Sequence, residues 1–454
     1  MIEFDKEPLI KVGLTGGAQS VRLTLSGLFV TDRDTRLTDG DYIIEAADEA
    51  VRLSNASDSQ KLEIIRPAIT ISPVEFNECR ITVHDVTIGI DFHWQRRESQ
   101  QFQGAIKFVS DKEGLTVINE LPLESYIVSV ISSEMSASCP PDLLRAHSVV
   151  SRSWLLAQFE RRESGVEGSQ AKSSPESAGE RIRWYDRESH DLFDVCADDH
   201  CQRYQGISKA YSQETYDAVN DTRGVALVYG EEICDARYSK SCGGMTEVFS
   251  AAWEERHVPY LAAVYDGSGD IAGYQMPLSR EENAEAWIES SPAAYCDTQS
   301  AELLSRILPG FDQETRDFYR WNVNYSQEEL SEIIRARTGV DFGLILALEP
   351  VERGQSGRII KLRITGQKLS LVIGKELEIR RALSRSHLYS SAFVVQAEQT
   401  TQTGVPEKFS LTGAGWGHGV GLCQIGAAVM ADLGHTHTQI LAHYFRNAEL
   451  KKLY

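Results

Sequence analysis

The period of apolar and polar residues changes along this chain, and each change marks a different kind of element. From residue 8 to about 95, short apolar runs alternate with turn residues: PLIKVGL, VRLTLSG, GDYIIEA, LEIIRPAITIS and CRITVHDVTIGI. Alternation at period two is what a half-buried sheet requires, so these runs read as strands. SNASDS at 54–59 reads as a loop, and QRRESQQFQ at 95–103 as a polar, exposed stretch. After two more strands, AIKFVS and LTVINELP, the period becomes helical. Leu123, Ile127, Val130 and Glu134 follow at steps of four, three and four, which sets them on one helix face. A second helix begins at Pro140 and Pro141, where a missing amide hydrogen costs nothing. Its face of Ala146, Val150, Ser153 and Ala157 is small enough for close packing.

Residues 160–188 are charged and rich in Ser, Gly and Glu, and read as an exposed insertion. Ala218, Val219 and Thr222 predict a helix that stops at Arg223-Gly224. VALVYG and ICDARYS then form a hairpin. Residues 252–345 are enriched in helix. One of these helices carries Leu330, Ile333 and Ile334 on one face, with Ser326 and Glu329 as a capping box and Gly339 as its stop. Strand, turn, strand, turn, strand and a short helix follow from Ile345. The fold class is α+β. A β-rich N-terminal region (1–100) precedes a mixed α/β core (101–454), with insertions at about 160–188 and 252–345.

At 454 residues and 42% hydrophobic content the chain can bury a large core. Its net charge of -20 argues against nucleic acid and anionic membrane surfaces as partners. It also disfavours other acidic polymers unless the cleft is locally basic. No run of eighteen apolar residues occurs, so no membrane span is predicted. The opening MIEFDKEPLIKVGL lacks the basic start and apolar stretch of a signal peptide.

Four places carry candidate chemistry. Glu134 ends an apolar stripe, where lost solvation raises a carboxyl pKa and makes it a proton donor near neutral pH; the plain alternative is a helix-end glutamate. Arg152, on the second helix, reaches the Glu134 neighbourhood if the two helices fold back on each other. His190, Cys196, His200 and Cys201 crowd into twelve residues, a donor set for zinc. A Cys196–Cys201 disulfide and two buried thiols are equally compatible with that spacing. Ser241-Cys242-Gly243-Gly244 makes a tight loop whose amides can approach a ligand, or an ordinary glycine turn. In LTGAGWGHGVGLCQIGAA, Trp416 is placed to stack on a sugar ring. His418 and Gln424 are placed to bond its polar groups, with Gly419 among the glycines between them.

ESYIVSVISSEMSASCPPDLLRAHSVVSRSW resembles the stage II sporulation protein D family, which includes the amidase enhancers. The pattern is E-x-Y-x-x-x-V-x-x-x-E-M-x-x-x-x-P followed by a small-residue helix; Ser151 and Trp154 depart from its A-R-S/T-Y ending. CQRYQG, the YSKSCGG element, PYLAAVYD and GWGHGVGLCQIGA extend the likeness over residues 115–450, with insertions between. The resemblance implies a lytic transglycosylase of peptidoglycan with Glu134 as acid/base, or a non-catalytic enhancer of a cell-wall amidase. It marks Arg152, Tyr238 and Lys240 as functional, and places Gln202 and Tyr204 at the cleft border. It also implies a structural Zn2+ near His190 and Cys196. Such a substrate lies outside the cytoplasm, so the expectation is an extracytoplasmic protein whose export segment lies outside this sequence.

Overall fold

Leu115–Pro122 is the strand from which the candidate site is built. It pairs antiparallel with Leu9–Ala18 on one side and with Ala105–Ser110 on the other. The computed structural model describes residues 4–454 except 48–49, 58–62, 90–94, 166–171, 174–178, 186–189, 199, 211, 272, 315–316 and 400–403. Its contacts form two compact units. The first comprises Ile2–Arg152, Ser189–Val225 and Lys452–Tyr454; the second comprises Ser153–Glu188 and Ala226–Lys451. A boundary near residue 100 does not coincide with these units, because Leu9↔Pro122 pairing returns the chain to its first strand.

The first unit holds two sheets. The seven-stranded one runs Val195–Cys196, Leu9–Ala18, Leu115–Pro122, Ala105–Ser110, Ala68–Pro73, Phe29–Thr31, Arg36–Leu37. The six-stranded one runs Arg96–Phe102, Arg80–Ile88, Ser20–Ser26, Gly40–Ala47, Ala50–Asn55, Glu63–Arg66. Period-two burial is clean in Ser20–Ser26, where Val21, Leu23 and Leu25 point inward. The polar stretch at 95–103 is an edge strand, tied by Phe102↔Ile81 pairing, with Gln100 and Phe102 turned in. Its backbone satisfies the sheet while most of its side chains face solvent, which is how edge strands stay soluble.

Leu115–Pro122 leads directly into α1 (Leu123–Glu134), and α2 (Pro141–Glu163) follows. The stripe Leu123, Ile127, Val130 and Glu134 is buried, as is the small face Ala146, Val150, Ser153 and Ala157. Beside α1 packs α3 (Gln213–Asp221), capped by Ser212 and ended before Gly224, which adopts φ 70°.

In the second unit, the five-stranded sheet runs Lys172–Ser173, Glu180–Trp184, Ser370–Gly374, Ile359–Gly366, Ile345–Arg353. Glu180–Trp184, inside the expected insertion, pairs parallel with Ser370–Gly374. Much of the rest of that insertion lies outside the described residues. A further sheet, Arg320–Ser326, Pro406–Ala414, Phe393–Gln399, shares one core with the helix Gln327–Thr338. There Leu330, Ile333 and Ile334 pack with Trp321, Phe409 and Leu411. The Ser326 hydroxyl accepts the Glu329 amide, and Gly339 closes the helix in the left-handed conformation. The fold is α+β, with strands in several sheets and helices on their flanks.

Candidate active site

Glu134 is the last residue of α1, and Met135 after it is already extended. The three apolar residues of its stripe draw that helix face into the core, which leaves Glu134 only 9% exposed. The Arg203 amide donates to Glu134 Oε1 at 2.9 Å. Arg203 follows directly on the cysteine–histidine loop, so a backbone amide fixed by that loop helps to orient the carboxylate. A cavity in this unit is walled by Cys196, Asp198, Arg203 and Gln205 together with Leu14 and Val86. Glu134 is not among its lining residues.

Arg152 does not reach the Glu134 neighbourhood. Its Nε and Nη2 donate to the two oxygens of Glu124 at 3.0 and 2.6 Å, and Nη1 donates to the Val225 carbonyl at 2.8 Å. Glu124 and Glu134 stand at opposite ends of α1, about 15 Å apart along the axis. The Gly224 amide and the Tyr454 hydroxyl complete the partners of Glu124 Oε1. The fully buried guanidinium is committed to Glu124 and the Val225 carbonyl.

Gln202 and Tyr204 also turn inward, each 1% exposed, and Tyr204 contributes to the wall of the cavity. Gln202 accepts the Tyr126 hydroxyl at 3.1 Å and donates to the Ser151 carbonyl. Tyr204 stacks between Phe102 and Tyr126 and donates its hydroxyl to Asn119. Burial pushes its phenol up. Both residues brace the segment that carries the Arg203 amide.

His190, Cys196, His200 and Cys201 converge, with their ligand atoms all within 4.8 Å of one another. Cys201 Sγ lies 3.5 Å from His190 Nε2 and 3.6 Å from His200 Nδ1, and Cys196 Sγ lies 3.8 Å from His200 Nδ1. A tetrahedral zinc with metal–ligand distances of about 2.0–2.3 Å has edges of roughly 3.4–3.8 Å. The donor set therefore fits a single zinc-like ion. Neither Cys196 nor Cys201 is in a disulfide.

In the second unit, Tyr238–Ser239 pairs in parallel with Leu422–Cys423, and Ser241 bridges Trp416. The Lys240 ammonium is paired with Asp312 at 2.9 Å, both largely buried, so its charge is answered inside the protein. Gly243 and Gly244 pack closely against protein. Both have positive φ and are buried; a Cβ would stand 2.8 Å from the Gly415 nitrogen and 2.9 Å from the Trp287 ring, respectively.

The glycines of the second loop also pack against protein. Gly415, Gly417, Gly419 and Gly421 all take positive φ; the first three pack about the buried Arg358, and Gly421 lies against the Arg237 backbone. Arg358 donates to the carbonyls of Gly417 and Cys242 and to the Ser356 hydroxyl. At Gly419 a Cβ would lie 2.4 Å from the guanidinium carbon. Gln424 is buried at the start of the following helix. Trp416 stays half-exposed, braced by Phe318 and Tyr389. His418 Nδ1 accepts the Val420 amide, and its ring rests against Trp253. Burial, then the Arg237 and Arg358 charges, hold that imidazole well below its ordinary value, so it is neutral.

Sequence reasoning passed over Arg358 and Glu247. Glu247 is fully buried and accepts from Gln355, Ser356 and Val248. Burial pushes its carboxyl up, while these donors pull it back. The signal was present in Gly357-Arg358, an arginine directly after a turn glycine, but its partners lie far along the chain.

Residues 111–229 match the family described as Stage II sporulation protein, and residues 247–421 match a domain of unknown function (DUF8618). An amidase enhancer of Bacillus subtilis (strain 168) is 24% identical over 260 residues, 55% of this chain and 34% of the relative. The chain thus matches only about a third of that protein's length. A stage II sporulation protein D of Bacillus amyloliquefaciens is 24% identical over 343 residues, 74% of this chain and 76% of the relative. An uncharacterised protein of Brachyspira hyodysenteriae is 22% identical over 391 residues, 84% and 82% of the two chains. The matched segment contains α1, Glu134 and the cysteine–histidine loop, so residues 111–229 carry a Stage II sporulation protein domain, and the chain is similar to stage II sporulation protein D and to an amidase enhancer.

Proposed function

We propose that this protein is a lytic transglycosylase that cleaves the bond between N-acetylmuramic acid and N-acetylglucosamine, preferring peptide-poor glycan. The observation that carries the reading is Glu134, a nearly buried carboxyl at the end of an apolar helix face, oriented by the Arg203 amide. Glu134 protonates the glycosidic oxygen, and an oxocarbenium-like state forms at C1 of the muramic residue. The muramic 6-hydroxyl then closes onto C1, and Glu134, now a base, takes its proton. The nucleophile belongs to the substrate, so no second carboxylate is required, unlike the usual two-carboxyl arrangement. Of the sugar-binding candidates, Trp416 keeps a ring surface to offer. We assign Arg152, Gln202, Tyr204, Gly243 and Gly244 to the scaffold, and give Lys240 no charge-stabilising part.

A zinc ion held by His190, Cys196, His200 and Cys201 would be structural, since four protein ligands close the coordination shell. It would fix the turn from Cys201 to Arg203 and thereby the amide that orients Glu134. The substrate implies action outside the cytoplasm. No helix among the described residues is long and apolar enough to cross a membrane.

The rival is a glycan-binding enhancer of a cell-wall amidase, the role named in one relative. The scaffold roles found for Arg152, Gln202 and Tyr204 would suit such a protein equally well. Incubation with peptide-free glycan, read by mass spectrometry, separates the two. Fragments one water short of the hydrolysis products are expected from the wild type, and unchanged glycan would hand the function to the enhancer. Glu134→Gln keeps an oxygen for the Arg203 amide, so the fold should survive while activity falls by about 10²–10⁴-fold. Undiminished anhydro product from that variant would remove Glu134 from the mechanism.

A further inference from the structure

Three cysteines and one aspartate that the proposed reaction does not use meet inside the second unit. Cys242, Asp266, Cys296 and Cys423 come from four separate stretches, yet their ligand atoms all lie within 4.8 Å of one another. Each is at most 2% exposed. The Cys242 and Cys296 sulfurs are 3.7 Å apart, far beyond the disulfide bond length of about 2.05 Å. That spacing matches the edge of a zinc–thiolate tetrahedron, about 3.8 Å for Zn–S of about 2.3 Å. None of the three cysteines is in a disulfide.

The surroundings are those of a ligand set held from behind. The Tyr444 hydroxyl donates to Asp266 Oδ1 at 2.6 Å, and the Cys296 amide donates to Oδ2 at 3.0 Å. The Cys242 amide points at Cys423 Sγ at 3.2 Å. Outer hydrogen bonds of this kind orient metal ligands and tune their basicity. Gly426 keeps the space open: a Cβ there would stand 2.4 Å from Asp266 Oδ1 and 2.5 Å from the Tyr444 oxygen. Arg358 donates to the Cys242 carbonyl at 3.1 Å and adds positive charge beside a cluster that becomes anionic when its thiols ionise.

We infer that Cys242, Asp266, Cys296 and Cys423 bind a second divalent ion, of the zinc class, in a closed structural site. A thiolate-rich tetrahedron selects zinc over the hard oxygen-loving cations. Such an ion joins the Ser241–Gly244 loop, the Asp266 segment, the turn at Cys296 and the Cys423 end of the glycine loop. It is separate from the cysteine–histidine site and does not depend on what Glu134 does.

The test counts metal on the full chain purified with zinc. Native mass spectrometry should find two zinc ions on the wild type and one on the Cys196→Ser/Cys201→Ser variant; no ion on a folded form of that variant overturns the proposal. If the variant does not fold, anomalous diffraction at the zinc edge from wild-type crystals decides. A peak among the four side chains supports the site, and its absence, or a Cys242–Cys296 disulfide in that place, overturns it. Tyr444→Phe should weaken zinc retention at this site by about 10–100-fold while leaving the other ion in place.

Discussion

The two glutamates of α1 hold opposite posts. Glu124 accepts two N–H groups of Arg152, the Gly224 amide and the Tyr454 hydroxyl, all within a buried pocket. Removing one partner of such a pair strands the other charge, at a cost of about 3–5 kcal/mol. Arg152→Met is therefore expected to lose that much stability in denaturant unfolding. Arg152→Lys should lose much of it too, because an ammonium cannot reproduce the bidentate fork. Glycan cleavage per folded molecule should stay within severalfold of wild type in both. A large loss of cleavage with stability unchanged would return Arg152 to the reaction. Sequence periodicity could locate Glu134 on a buried face because a helical stripe is a local property. It could not choose the partner of Arg152, since Glu124 lies 28 residues away and two carboxylates on one helix were on offer. The convergence of His190, Cys196, His200 and Cys201 was legible for the same local reason, the four being crowded within twelve residues. Cys242, Asp266, Cys296 and Cys423 were not, because only the fold brings them together.

At the level of elements, glycine density signalled that the backbone of residues 413–421 must bend or be closely approached. The direction of approach was the part sequence could not supply. Arg358 fills the bend, and it arrives from just before the strand Ile359–Gly366, more than fifty residues upstream. Two substitutions separate the bend from the approach. Gly434 has φ 89° with open space around it, so Gly434→Ala should show only the left-handed penalty, about 1–2 kcal/mol. Gly419 has φ 75°, and a Cβ added there would meet the guanidinium carbon at 2.4 Å. Gly419→Ala should therefore cost at least about 2 kcal/mol more, because Arg358 cannot withdraw without leaving buried carbonyls unpaired. Thermal melting of the two variants side by side checks the difference; equal losses would mean the loop tolerates a displaced Arg358. Several elements were well announced: the Ser326 cap, the Gly339 stop and the helix Gln213–Asp221 follow from short-range rules, whereas the expected hairpin keeps only Glu232–Ile233 of its second strand, Tyr238–Ser239 pairing with Leu422–Cys423 instead. The strand Glu180–Trp184 was hidden, since only Ile182 is firmly buried in a charged surrounding.

For the whole molecule, the two units are stitched from non-contiguous stretches, which no local composition shift announces. Net charge, by contrast, can be read straight from the sequence, and it bears on substrate choice. At -20 the protein repels polyanions over a range set by salt, about 10 Å at 0.1 M and 3 Å at 1 M ionic strength. Stem peptides with free carboxylates carry such negative charge along intact peptidoglycan, whereas stripped glycan keeps only the lactyl groups. If association is limited by this repulsion, stripped glycan should be cleaved roughly tenfold faster than intact material at about 10 mM salt. The ratio should fall toward one as salt rises to about 0.5 M, mainly because cleavage of the intact polymer speeds up. Initial rates of anhydro-product release on both substrates across that salt series measure it. A ratio indifferent to salt would place the preference in the shape of the cleft, and a ratio that grows with salt would mean that local cations near the site outweigh the net charge.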